Sequence, residues 1–407
     1  MNEVLSVGLI LLAALVAGHA AQLIRVPEVT GYLLVGIVIG PSLLDLISHD
    51  DLRTLGFLSD IALGLILFSI GSIFEASQFR RVGAGVARVA IWEASSAFGL
   101  VFLGLLAAGQ PLPVALVLGV IAMETAPATT LMVLHEYDAR GPMTDRLLAL
   151  VALNNMFVLI AFGIVSAILT LTTPGPEGWL GVGYRAGYHL VWSTLGSFAL
   201  GVLFGLLVDA WAARAKESGE GMMLAMGVVL VVVGASRWLG LSPLFATLAL
   251  GATVANVSHR GDELLQALSR ADPPLYAAFF VLAGAELQVS SLGGLGLAGV
   301  LFVVLRASGK IGGARMGLRG QTDVPETVRR HLGLCLISSS SLAVGLTIQV
   351  RSSFPHLALT VTGVVLAAVL IFEVVGPLLT RHALIRTGEA GSTPSPLEEV
   401  AEPGLTP

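Results

Sequence analysis

Only two of the 407 residues are lysine, Lys216 and Lys310, and only one is cysteine, Cys335. A single thiol excludes a disulfide within the chain and any cysteine-based metal cluster. Charge of either sign is scarce: 12% of residues are Asp, Glu, Lys or Arg, against roughly 25% in soluble globular chains. That composition excludes an ordinary soluble domain. What is abundant is apolar. Hydrophobic residues make up 55%, mean hydropathy is +0.87 and there are 48 glycines, a proportion suited to helices that pack closely in a bilayer. The expected class is an all-α, multi-pass membrane protein with the lipid bilayer as its first partner.

Thirteen apolar segments are long enough to span, near 4–24, 28–47, 55–75, 84–107, 112–134, 146–172, 188–212, 221–237, 241–258, 273–290, 293–316, 328–350 and 355–380; a span needs about 17–25 residues. The first resembles a signal peptide in its AGHAA stretch. It lacks a basic n-region and another span follows at once, so it reads as a retained helix. With the N-terminus outside, the inner loops and tail hold Arg25, Arg80, Arg81, Arg140, Arg146, Arg214, Lys216, Arg260, Arg270, Arg315, Arg319, Arg329, Arg330, Arg381 and Arg386. The outer loops hold only Arg53, Arg185, Arg237 and Arg351. Fifteen against four sets a cytoplasmic C-terminus, in a cell (inner or plasma) membrane. These basic loops are topology signals, and no nucleic-acid partner is expected. The transmembrane domain is read as 1–387. The tail 388–407, GEAGSTPSPLEEVAEPGLTP, is Pro-rich and acidic and reads as a disordered cytoplasmic segment. No soluble nucleotide-binding or regulatory domain is expected, and no cofactor.

The chain repeats itself weakly. LLVGIVIG at 33–40 resembles LALGATVA at 248–255, and LILFSIG at 65–71 resembles AFFVLAG at 278–284. The copies begin at the second and ninth spans, so they cross in opposite senses, an inverted-topology repeat. The same offset pairs METAPA at 123–128 with LISSSS at 336–341. Both interrupt apolar spans. Pro127 removes a backbone donor and disfavours helix at Ala126. Ser338, Ser339, Ser340 and Ser341 offer hydroxyls to the backbone. Two broken helices meeting near the midplane are expected. The alternative is a tolerated kink and a small-residue packing face.

The polar residues inside the spans are the candidate site. Lys310 and Arg306 lie one turn apart in 293–316, and a cation at membrane depth costs about 2.5–3.5 kcal/mol on insertion scales. Lys310 either snorkels to the interface or faces the protein interior. Glu124, just before the first break, can bind a cation, carry a proton or neutralise a helix end. Asn154 and Asn155 are adjacent carboxamides in an apolar helix; their oxygens can ligate a cation but cannot exchange a proton. Neighbouring helical positions point about 100° apart, so the two are not expected to face one ligand. Glu93 and Glu373 are expected to pair with Arg88 and Arg381, and Glu286 to approach the outer end of its helix. His19 reads as a packing residue and Cys335 as a small buried hydrophobe.

Taken in order, several stretches resemble the cation:proton antiporter superfamily, the sodium–proton exchangers and Kef-like potassium–proton antiporters. They are VPEVTGYLLVGIVIGP at 26–41, LGLILFSIGSIFE at 63–75, TAPATTLMVLHEYDARGPMTDRLLALVALNN at 125–155, LSPLFATLALG at 241–251, FFVLAGAEL at 279–287 and GKIGGARMG at 309–317. The resemblance covers about 5–385. It implies a transporter rather than an enzyme, with a monovalent cation and a proton as substrates. It further implies a homodimer, a dimerisation domain and a mobile core domain that moves in an elevator-like way. Carried across, Asn154 and Asn155 occupy the pair that is usually Asp-Asp or Asn-Asp, Lys310 is the membrane lysine, and Thr125 is the threonine of the crossover. Any bound cation is expected near Asn155. The second residue of the pair is normally the carboxylate that alternates between cation and proton, and Asn155 cannot do that. Either another carboxylate has taken over, with Glu124 the first candidate and Lys310 its partner, or the protein is a facilitator, an anion transporter or a transport-inactive sensor. A membrane scaffold without transport is the third class.

Overall fold

The computed structural model describes residues 3–24, 26–72, 84–172, 191–212, 218–258, 261, 264, 272–287, 296–339 and 341–391. Among these, regular structure is entirely helical. The helices are α1 (Glu3–Leu23), α2 (Glu28–Ile39), α3 (His49–Ser72), α4 (Ala84–Ala107), α5 (Leu112–Ala122), α6 (Pro127–Glu136), α7 (Pro142–Thr172), α8 (Ser197–Ala212, led by a π-helical stretch Trp192–Gly196) and α9 (Ser218–Trp238). They continue with α10 (Pro243–Val257), α11 (Asp272–Glu286), α12 (Gly296–Gly317), α13 (Glu326–Cys335), α14 (Ser341–Ser353) and α15 (Pro355–Thr387).

Each of the thirteen apolar segments contains helix. Nine stretches among the described residues are long and apolar enough to cross a membrane. The segments at 112–134 and 328–350 are each split in two, as their polar interruptions require. Arg25, Arg80, Arg81, Arg185, Arg214, Lys216, Arg260 and Arg270 lie outside the described residues.

The sequence repeat appears as two matching helix crossings. In the first, α2 meets α11: a methyl on Gly36 would drive into the carbonyl of Val281, and one on Gly284 into that of Leu33. In the second, α3 meets α10: a methyl on Gly251 would strike the carbonyl of Phe68, and one on Gly71 that of Leu248. Residues 33, 36, 281 and 284 are the repeat equivalents of 248, 251, 68 and 71. Both copies of the repeat therefore make the same backbone-on-backbone contact, which only glycine permits.

A third close approach positions the site. Gly309, Gly313 and Gly317 form a ridge on one face of α12. Cβ atoms there would meet the backbone of Ala97, Glu93 and Val89 on α4. This glycine ridge brings α12 against α4 and aligns Lys310 with Glu93.

The last helix ends at Thr387, and the first residues beyond it pack back on the protein. Gly388 adopts the left-handed cap conformation, φ 72°, and Glu389 is buried, 7% exposed. The Glu389 carboxylate accepts from the backbone N–H groups of Met143 (2.6 Å) and Thr144 (2.8 Å) and from the Thr144 hydroxyl (2.8 Å). It thereby caps the otherwise unpaired first turn of α7. Residues 392–407 lie outside the described residues.

Candidate functional site

The two breaks meet. After α5 the chain is extended through Ala126 (φ −63°, ψ 114°), and Pro127 opens α6, where its missing N–H costs nothing. The Ala126 N–H donates to the Ser338 carbonyl across the crossover, 3.1 Å. The Thr125 hydroxyl lies 3.4 Å from the Leu336 carbonyl. Helices α5 and α13 thus end side by side, and α6 and α14 start there. Ser341 is the first residue of α14; Ser340 lies outside the described residues.

Two cations hold the carbonyl ends of both breaks. Arg306 donates through Nη1 to the Ile337 carbonyl (2.5 Å) and through Nη2 to the carbonyls of Glu124 (2.7 Å) and Ser338 (3.2 Å). Lys310 Nζ donates to the Met123 carbonyl (2.6 Å) and the Thr125 hydroxyl (2.8 Å). Helix C-termini carry partial negative charge, so buried cations belong there. Both side chains are 0% exposed, which rules out snorkelling for Lys310.

The carboxylates are arranged differently from the sequence expectation. Lys310 pairs with Glu93, Nζ to Oε1 2.6 Å, and not with Glu124. The Glu124 carboxylate instead faces Arg306 at 3.7 Å and accepts from the Ser339 hydroxyl at 3.0 Å. Glu93 does not pair with Arg88, which donates to the carbonyls of Gly317 and Arg319. Nor does Glu373 pair with Arg381: its Oε2 accepts from the Thr129 hydroxyl, 2.7 Å, while Arg381 lies over the Tyr137 ring. Eight helical residues separate Glu373 from Arg381, about 12 Å along the axis. The physical reason is lateral packing. The glycine ridge sets Lys310 opposite Glu93, and α15 presents Glu373 to the first turn of α6.

Asn154 and Asn155 converge where divergence was expected. Asn154 Nδ2 donates to the Thr125 hydroxyl (3.1 Å) and Asn155 Nδ2 to the Thr125 carbonyl (3.0 Å) and to Val151 (2.7 Å). The extended backbone of the break exposes Thr125 on two sides, so one residue serves both amides. Both Oδ1 atoms are buried and accept no hydrogen bond among the described residues.

A cavity of about 250 Å³ is lined by Asp60, Gly64, Arg237, Pro243 and Thr247, with Leu63, Leu67 and Leu342 at one side. Those three leucines also line a narrower space of about 20 Å³ that Asn155 and Pro127 border, room for one water-sized particle. Asp60 and Arg237 form an ion pair on the wider cavity. Glu286 is the last residue of α11. His19 bonds within its own helix to the Leu15 carbonyl, and Cys335 is buried and free.

The sequence had suggested structural partners for Glu93 and Glu373 and had not singled out Thr129. The glycine spacing at 309, 313 and 317 was the available signal for Glu93. For Glu373 it was Pro377, four residues on, which cannot donate to the Glu373 carbonyl.

The family profile described as sodium/hydrogen exchanger, transmembrane, matches residues 9–384. The chain is 25% identical over 373 residues to a protein of Alkalihalophilus pseudofirmus named ammonium/H(+) antiporter subunit AmhT, covering 89% of this chain and 92% of that one. It is 23% identical over 295 residues to the iron transporter MagA of Paramagnetospirillum magneticum, covering 69% and 63%. Two structures of the sodium proton antiporter MjNhaP1 from Methanocaldococcus jannaschii share the fold. One superposes with TM-score 0.76 at 17% identity over 95% of this chain and 98% of that one. The other, at pH 8, gives 0.66 at 19% identity over 95% of each.

Proposed function

Because the chain belongs to the transmembrane sodium/hydrogen exchanger family, we propose that it exchanges a monovalent cation for protons across the cell membrane. The observation that carries this reading is the buried crossover of opposite charges, bordered at Asn155 by a small space that shares three lining leucines with a wider cavity. The unpaired oxygens of Asn154 and Asn155 offer neutral ligands to a cation without competing for protons. Arg306 and Lys310 neutralise the helix ends that meet there, and Glu124 and Glu93 are their counter-charges. The charge asymmetry of the loops sets the N-terminus outside and the C-terminus inside, so the Asp60–Arg237 cavity faces outward. The protein works as a homodimer in which the crossover region moves against a dimerisation domain in an elevator-like exchange of access.

The test is flux in proteoliposomes with an imposed pH gradient and internal pH read by a dye. Sodium, potassium and ammonium are added in turn, the last because of the activity named for AmhT. Cation-dependent collapse of the gradient is expected with at least one of them. No collapse with any cation overturns the reading.

The pair of amides supports a second reading, a cation facilitator without proton coupling. It predicts cation-driven flux with no change of internal pH, and Asn155→Asp would then create proton coupling that the native protein lacks.

A further inference from the structure

Five charged side chains gather at the crossover: Glu93, Glu124 and Glu373 against Arg306 and Lys310. Four of them are 0% exposed and Glu373 is 6% exposed. Fully ionised, the cluster carries one uncompensated negative charge in a region where such charge is expensive. One more positive charge is needed, and a proton or a monovalent cation can each provide it, though not both without reversing the imbalance.

The geometry identifies which carboxylate is unmatched. Glu93 has Lys310 at 2.6 Å. Glu124 has Arg306 at 3.7 Å, with the same guanidinium bonded to its own carbonyl at 2.7 Å. Glu373 has the neutral hydroxyl of Thr129. Arg306 lies near it, held 4.4 Å from the ring centroid of Phe372, but its Nη1 and Nη2 donate to the carbonyls of Glu124, Ile337 and Ser338, and its Nε makes no hydrogen bond among the described residues. Pro377 has no N–H to close the helical bond onto the Glu373 carbonyl. Between them Gly376 rests against Ser338, whose buried hydroxyl has no partner among the described residues. Helix α15 thus touches the first turn of α6 through Glu373 and the second break through Gly376.

Other titratable groups on the elements packed against α15 lie away from Glu373. Arg381 and His382 follow it on α15 by eight and nine residues. His331 and Cys335 on α13 accompany that same end, the His331 ring tilted against that of His382 at 6.0 Å between centroids. On α6, His135 and Glu136 are at the far end from Thr129. On α2, the Tyr32 hydroxyl donates to the Glu28 carboxylate, and the Glu28 backbone N–H donates to the Glu136 carboxylate. On α12, Arg315 is nine residues beyond Arg306. On α14, Arg351 is in the last turn.

Resting on the antiport reading, we infer that Glu373 is the carboxyl group at which this transporter takes up and releases its proton. In one state the neutral carboxylic acid balances the cluster. In the other the proton leaves to water and a monovalent cation takes its place, the charge of the cluster being unchanged. Glu373 thereby supplies the titratable function that Asn155 lacks.

The experiment measures protons released when sodium, potassium or ammonium is added to the full-length protein in weakly buffered detergent, alongside the proteoliposome assay. Wild type is expected to release protons with the transported cation. Glu373→Gln is expected to lose at least nine-tenths of that release. Glu373→Asp is expected to retain it with a displaced pH profile. Thr129→Val, which keeps the carboxyl but removes a donor to its ionised form, is expected to move half-maximal exchange alkaline by about half a unit or more. Wild-type release from Glu373→Gln overturns this inference and leaves the antiport reading standing. If Glu373→Gln does not fold, an unmoved pH profile in both Glu373→Asp and Thr129→Val overturns it. A wild type that moves no protons with any of the three cations overturns both.

Discussion

Lys310 and Glu93 form an ion pair of 2.6 Å in which neither side chain has any exposure. The pair sits where α12 and α4 come within glycine distance of each other, so it joins two helices as well as two charges. The lysine also bonds the Met123 carbonyl and the Thr125 hydroxyl, which ties that helix pair to the crossover.

Breaking the pair on one side should cost far more than removing it whole. Glu93→Gln strands a buried ammonium, a loss of about 3–5 kcal/mol. Glu93→Gln with Lys310→Met should recover most of that. A double-mutant cycle read by thermal unfolding in detergent checks it, and additive losses would contradict the pairing.

The repeat-related glycines should be equally intolerant. Gly36→Ala and its equivalent Gly251→Ala each push a methyl into a carbonyl, an overpacking cost of about 1–3 kcal/mol. Gly234, with open space around it, should accept alanine without loss. Thermal midpoints of the three variants measure this.

An extra carboxylate beside Thr125 should strengthen cation binding. Asn155→Asp adds a second uncompensated negative charge, so the cation concentration giving half-maximal thermal stabilisation should fall at least tenfold. An unchanged midpoint would place the cation away from Asn155.

Removing the cap on α7 should loosen one helix end locally. Glu389→Ala deletes an anionic acceptor shared by two backbone N–H groups and a hydroxyl, a loss of about 1–2 kcal/mol. Hydrogen exchange should rise at amides 143–146, with residues 150–155 unchanged. Protection unchanged at 143 and 144 would contradict the capping role.

Much of this was legible in the sequence because it depends on local rules. Pro127 and the serines at 338–341 marked the breaks, since both interrupt apolar runs with residues that disturb helical bonding. Matching glycine strings marked the repeat. The convergence of Asn154 and Asn155 on Thr125 was not legible, because helical wheel geometry ignores an extended strand passing beside the helix. Nor were the pairings of Glu93, Glu124 and Glu373. Each depends on which helices become neighbours, and charge alone gave Glu93 and Glu373 plausible partners nearby in sequence. The contact of Glu389 was not legible for a related reason: its surroundings read as tail, while its partners lie 245 and 246 residues away.

The two matched glycine crossings carry a mechanical consequence. A seam of side chains can absorb a slide by changing rotamers; a carbonyl resting on a Cα has none to change. Helices α2 and α11 are riveted together in this way, and so are α3 and α10. In the proposed alternating-access movement each couple would travel as one piece, and the sliding would run along seams where side chain meets side chain.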